Sequence, residues 1–350
     1  MPKHTSRSAA GRSIAVLAAA LLATIVGGAL PPAAGEEPVR IRLGTIAPKG
    51  SIYHRALQEM GEKWKRAEGA GATFTVFTDG TQGGEADMVR RMRVGQLNAA
   101  LVSVVGLMEI DRSVTALQYM PMLFRDWAEV DYARNKLHAS LESRLLEKGF
   151  VVLFWGDAGW ARFFSKEASL RPADFKKAKM FAWSGDNDQV DLMKAMGYNP
   201  VPLETADILP GLQTGLITAV PCAAYYALAG QIDTVAKHML DLKWVPVVGA
   251  AVTTKKTWEQ LSPAGREQLK SAADAAGVKI RTRARQEDEE AIEAMKKRGL
   301  IVHEVTPEIE GEWRQMAEEA YPKIRGTMVP ADTFDLVRSA VAEYRKQNGK

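Results

Sequence analysis

The side chains in this sequence best equipped for chemistry fall into separate stretches. Trp160-Ala161-Arg162-Phe163-Phe164 sets one guanidinium among aromatics. Such a group donates paired hydrogen bonds to an anionic or hydroxyl oxygen, or to a protein carboxylate such as Glu85. In Lys179-Met180-Phe181-Ala182-Trp183, residues two apart on a strand share a face. Where that face opens on a cleft, Phe181 and Trp183 form an aromatic wall suited to an apolar partner; the alternative is that it packs on a helix inside the protein. Cys222, Tyr225 and Tyr226 make a third group, with polar tips on an otherwise apolar run. Gly80-Thr81-Gln82-Gly83-Gly84 leads into Glu85 but lacks the Gly-Lys-Ser/Thr ending of a phosphate cradle. Glu85 either meets a ligand or caps the helix that follows, and capping is the simpler role.

Catalysis and metal binding find little footing. His4, His54, His138, His238 and His303 are scattered, and none forms a metal pair at helical spacing. No Gly-x-Ser-x-Gly elbow occurs. Asp186, Asn187, Asp188 and Asp191 resemble a calcium loop in composition alone, without its glycine and terminal glutamate. The single cysteine, Cys222, excludes an intramolecular disulfide and reads as an inert buried thiol. Arg281 to Arg285 and Glu287 to Glu290 read as solvated faces of a helix. Neither metal nor cofactor is implied by these residues, and a hydrolase stays open as a distant alternative.

Strands alternate with helices along the chain, which implies βαβ units and a mostly parallel sheet. Val39, Ile41 and Leu43 alternate with arginines as a strand. Further strands are expected at 74–77, 99–105, 150–155, 179–183, 200–203, 216–220 and 245–252. Helices are expected at 85–94, 188–196 and 208–214, and in the tail at about 307–320 and 331–347. Ser262-Pro263 starts a helix of about 35 residues that reaches Lys297-Arg298-Gly299, roughly 50 Å, with Gly277 as a potential break.

At the N-terminus, Lys3, Arg7 and Arg12 precede an apolar run from Ser13 to Leu30 and the small residues Ala33-Ala34-Gly35. This is the pattern of a cleavable secretory signal over residues 1–35, which implies export of the mature protein; the periplasm is what the resemblance described below implies. Its removal changes 46 basic residues to 43 against 42 acidic ones, a net charge near +1. Nothing in that balance suggests nucleic acid.

The segments from the 80–84 loop, the Arg162 strand, Lys179-Met180-Phe181 and Ala195-Met196-Gly197-Tyr198-Asn199-Pro200 resemble, in order, the DctP-like substrate-binding proteins of TRAP transporters. Leu212-Gln213-Thr214-Gly215, Lys255-Lys256-Thr257-Trp258 and the long helix continue the resemblance, which covers nearly all of residues 39–305. It implies an α/β, two-lobed periplasmic-binding-protein fold with a long helix bracing both lobes. Residues 36–155 plus about 247–280 would form lobe I and 156–246 lobe II. Residues 262–299 would be the brace, and 300–350 helices packed on the lobes. It also implies delivery of a small molecule to membrane permease subunits, with a periplasmic tetratricopeptide-type partner in some relatives. Family members place a carboxylate-clamping arginine where this chain has Phe181, and polar cleft groups where it has Thr218 to Ala223. The expected ligand is therefore largely apolar, with a weakly acidic group allowed, held by Glu85, Trp160, Arg162, Phe181, Trp183, Cys222, Tyr225 and Tyr226. A soluble carrier of a lipid-like ligand is the alternative.

Overall fold

A computed structural model describes residues 38–349, so the expected signal segment lies outside the described residues. The chain order is β1 (Arg40–Thr45), α1 (Ile52–Glu68), β2 (Thr73–Phe77), α2 (Glu85–Arg93), β3 (Ala99–Ser103), α3 (Val104–Leu107), α4 (Trp127–Glu147) and β4 (Phe150–Ser165). Then come α5 (Pro172–Phe175), β5 (Lys179–Trp183), α6 (Asn187–Ala195), β6 (Asn199–Leu203), α7 (Ile208–Thr214), β7 (Ala219–Ala223), α8 (Ala224–Ala229) and β8 (His238–Thr254). The chain closes with α9 (Lys255–Gln260), α10 (Pro263–Lys296), β9 (Ile301–His303), α11 (Pro307–Ile324) and α12 (Ala331–Gln347).

The strands join one sheet in the order β2-β1-β3-β8-β4-β7-β5-β6, with β9 added to β8. Parallel triplets β2-β1-β3 and β7-β5-β6 occupy its two ends, as the alternating pattern predicts. The centre differs from the sequence reading. The strands expected at 150–155 and 245–252 are parts of a 16-residue β4 and a 17-residue β8, paired antiparallel along their length. Register shifts between Val152 and Phe154, Asp157 and Gly159, and Ala161 and Phe163 bend the pair. Such bulges blur the period-two pattern that would have revealed one long strand. The strand expected at 216–220 starts later, at Ala219, because Gly215 closes α7 in the left-handed region at φ 74°. Helix α4 has no counterpart in the sequence reading.

Helix α10 spans both sheet ends, with Ser262 accepting from the Gly265 N–H at its cap and Pro263 in its first turn. Gly277 does not break it. A Cβ there would lie 2.8 Å from the Phe154 Cβ, so the glycine lets helix and strand approach closely. The charged residues of this helix are not merely solvated, as their clustering suggested. Arg281 Nη1 donates to the Trp155 carbonyl at 2.9 Å, and Arg285 Nε to Asp157 Oδ2 at 2.8 Å. Asp288 is 1% exposed. These polar groups tie the helix to β4 where apolar residues would otherwise stand. Among the described residues, no helix is long and apolar enough to cross a membrane.

Candidate functional site

A cavity of about 260 Å³ opens beside the middle of the sheet. Phe181 and Trp183 on β5 form part of its wall, with ring centroids 4.9 Å apart at 76°. Their shared face follows from the strand period. Cys222, at the end of β7, and Tyr225 and Tyr226, in the first turn of α8, complete that side. Opposite them, Tyr53 comes from α1 and stacks edge-on against Tyr225, with centroids 6.2 Å apart. Farther along, Met180, Phe163, Tyr198, Trp244, Trp313 and Met316 line the same space.

Charge is scarce in this lining. Among the described residues lining the cavity, none is lysine, arginine or histidine, and the carboxylates are Glu85 and Asp157. Asp157 is neutralised by Arg134 Nη1 at 2.5 Å and by Arg285, while its carbonyl accepts from the Tyr53 hydroxyl at 3.0 Å. Glu85 accepts from the Ser103 N–H at 2.8 Å, the Ser103 hydroxyl and the Gly106 N–H at 3.1 Å. Burial pushes the Glu85 carboxyl above its usual range, and these donors only partly oppose it. Glu85 thus braces the β3–α3 turn, whereas the sequence suggested that it caps its own helix. Burial also pushes the Tyr226 hydroxyl to about 12 and raises the Cys222 thiol, so both stay protonated at neutral pH.

Arg162 and Trp160 are not among the cavity-lining residues. All three guanidinium nitrogens of Arg162 are engaged at 2.7 Å: Nε with Asp241, Nη1 with Asp288 and Nη2 with Glu289. Burial works against its charge, but the carboxylates of Asp288, Glu289 and Asp241 outweigh it and hold the guanidinium above its usual range. Arg162 is therefore a fastening between β4 and α10: of the two roles the sequence left open, pairing with protein carboxylates is the one the structure shows, with Asp241, Asp288 and Glu289 in place of Glu85. Asp288 also accepts from the Trp160 and Tyr225 N–H groups, at 3.2 and 3.1 Å. Trp160 itself packs on Trp127, with centroids 4.9 Å apart.

The sequence reading missed the cavity's second half. Trp313, Met316, Ala320 and Ile324 form a three-and-four stripe along α11, which ordinarily signals core packing alone. It also missed that Asp186 caps α6 and accepts from the buried Tyr119 hydroxyl, which joins loops from opposite ends of the sheet. His238 and His303 meet at 2.9 Å where β8 pairs with β9, outside the cavity lining. Among the described residues, no group of three or more histidine, cysteine or acidic side chains is arranged to hold a metal.

This fold and cavity can be set against known proteins. The profile of the bacterial extracellular solute-binding proteins of family 7, the DctP family, matches residues 43–326. The chain belongs to that family. DctP-family members are solute-binding proteins of TRAP transporters, not enzymes, and its relatives are periplasmic. The 2,3-diketo-L-gulonate-binding periplasmic protein YiaO of Escherichia coli K12 is 24% identical over 75% of this chain and 80% of its own length. The C4-dicarboxylate-binding periplasmic protein DctP of Rhodobacter capsulatus is 22% identical over 94% of this chain and 98% of its own. A TRAP periplasmic solute-binding protein of Shewanella oneidensis, solved with bound succinate, superimposes with a TM-score of 0.79. Its identity is 18%, covering 87% of this chain and 99% of that one, a likeness of fold.

Proposed function

We propose that this DctP-family protein captures a largely apolar, uncharged small molecule and delivers it to the membrane subunits of a TRAP-type transporter. The observation that carries this reading is the absence of any basic side chain among the described residues lining the cavity, beside Phe181, Trp183 and a methionine-rich wall. A carboxylate moved into such a lining would lose its hydration without gaining a cation, at a cost of several kcal/mol. An apolar ligand gains about 25 cal/mol for each Å² it removes from water. At about 260 Å³ the space lies just below the usual range for small-molecule sites, ~300–1,000 Å³.

The ligand acts by shifting an open–closed equilibrium. Among the described residues, 38–155 with about 247–280 move against 156–246, and α10 braces both. Phe181, in this reading, stands where related proteins hold an arginine, and its ring removes the anion grip. Comparisons with known proteins lend no support to a tetratricopeptide-type partner, which is not part of the proposal.

Calorimetric titration tests the reading with two probes, the neutral fluorophore N-phenyl-1-naphthylamine and succinate. Saturable binding of the fluorophore and none of succinate is expected. Saturable succinate binding with no fluorophore bound would overturn it.

A further inference from the structure

Three buried side-chain polar atoms lack a hydrogen-bond partner among the described residues: Trp64 Nε1, Arg266 Nε and the Tyr198 hydroxyl. Of these residues, Tyr198 alone lines the cavity, and its hydroxyl oxygen is itself almost sealed from that space. It follows α6 and is 8% exposed, in a cluster that contains Met180, Phe163 and Trp313, with Met193 and Met196 packed against it. The neighbouring indole is satisfied, because Trp313 Nε1 donates to the Leu170 carbonyl at 2.8 Å. An unmet hydroxyl in apolar surroundings is costly, and natural interiors rarely keep one without a use. Burial pushes this phenol up to about 12, so it keeps its proton. The Lys176 ammonium stands 5.8 Å from the ring centroid. A cation over the ring face draws electron density from the phenol, which makes the O–H a better donor and a poorer acceptor.

We infer that Tyr198 turns its sealed hydroxyl into the cavity when a ligand enters and donates a hydrogen bond to one uncharged oxygen of that ligand, a ketone, ester or ether, at the α11 end. The remainder of the ligand runs toward Tyr225 and Phe181 and makes only apolar contacts. This assignment rests on the apolar-ligand reading and narrows it: a pure hydrocarbon leaves the hydroxyl unmet, and a carboxylate brings a charge with no cation to meet it. A site built to hydrogen-bond one ligand group discriminates against the analogue that lacks it.

Butyrophenone and butylbenzene have the same carbon count and differ by one carbonyl, so they separate the two contributions. Each displaces N-phenyl-1-naphthylamine from the full protein after carried-over ligand has been removed by unfolding and refolding. Wild type is expected to prefer the ketone, and Tyr198→Phe to lose about three- to ten-fold in ketone affinity with butylbenzene unchanged. The phenylalanine keeps the ring and removes an unpaired hydroxyl, so the variant should fold. Unaltered ketone affinity in the variant, with both probes still bound, would overturn the Tyr198 assignment alone. Failure of every neutral probe to bind wild type would overturn the apolar reading and this assignment together.

Discussion

Arg162 Nη1 lies 2.7 Å from Asp288 Oδ2, and each side chain is 1% exposed. That contact fastens the strand β4 to the helix α10. It also removes from the cavity the arginine that the sequence had offered to a ligand.

Breaking the pair strands a buried carboxylate. Arg162→Ala should cost ~3–5 kcal/mol in urea-induced unfolding, because Asp288 keeps two N–H donors but loses its counter-ion. The ligand affinity of the folded fraction should be unchanged. A variant as stable as wild type that no longer binds would return Arg162 to the binding site.

Gly277 tests the packing of the brace. Alanine is favoured over glycine in a helix by about 1 kcal/mol. Here its Cβ would meet the Phe154 Cβ at 2.8 Å, and overpacking costs ~1–3 kcal/mol. Gly277→Ala should therefore lower the unfolding midpoint. A raised midpoint would show that the contact relaxes freely.

Glu85 should give stability a pH signature. Its folded carboxyl is pushed up by burial, so the folded chain holds that proton to higher pH than the unfolded chain does. For a raised acid the contribution is full below the unfolded value, about 4.3, and is lost as pH rises through the folded value. Unfolding of wild type and Glu85→Gln across that window should show wild type losing stability relative to the variant as pH increases. A relative gain with rising pH would mean that the three donors outweigh burial.

Tyr119 tests the link across the sheet. Its hydroxyl donates to Asp186, which otherwise accepts from the Gln189 N–H at 3.1 Å. Tyr119→Phe should cost ~1–3 kcal/mol of stability, as expected for losing a buried bond to a carboxylate. It should also speed ligand release in stopped-flow chases. Unchanged release would confine Tyr119 to packing.

Legibility from sequence followed locality. Capping at Ser262, the parallel βαβ units and the shared face of Phe181 and Trp183 depend on near neighbours, and all three stand in the structure. The length of β4 was hidden by its bulges, and the stripe on α11 reads as core whether or not a cavity lies beneath it. Partners distant in sequence were out of reach. Glu85 with Ser103, Arg162 with Asp288 and Tyr119 with Asp186 are joined only by the fold, and charge spacing along α10 gave no sign that Asp288 turns inward. Nor could composition identify Tyr198, since a buried hydroxyl without a partner is a property of packing.

The ligand itself offers the most direct test. Native mass spectrometry of the protein purified from its own cells without denaturant, followed by identification of the released molecule, should yield an uncharged, mainly hydrocarbon compound carrying one acceptor oxygen. A dicarboxylate or sugar acid bound in the cavity would contradict the exchange of an anion grip for an apolar lining.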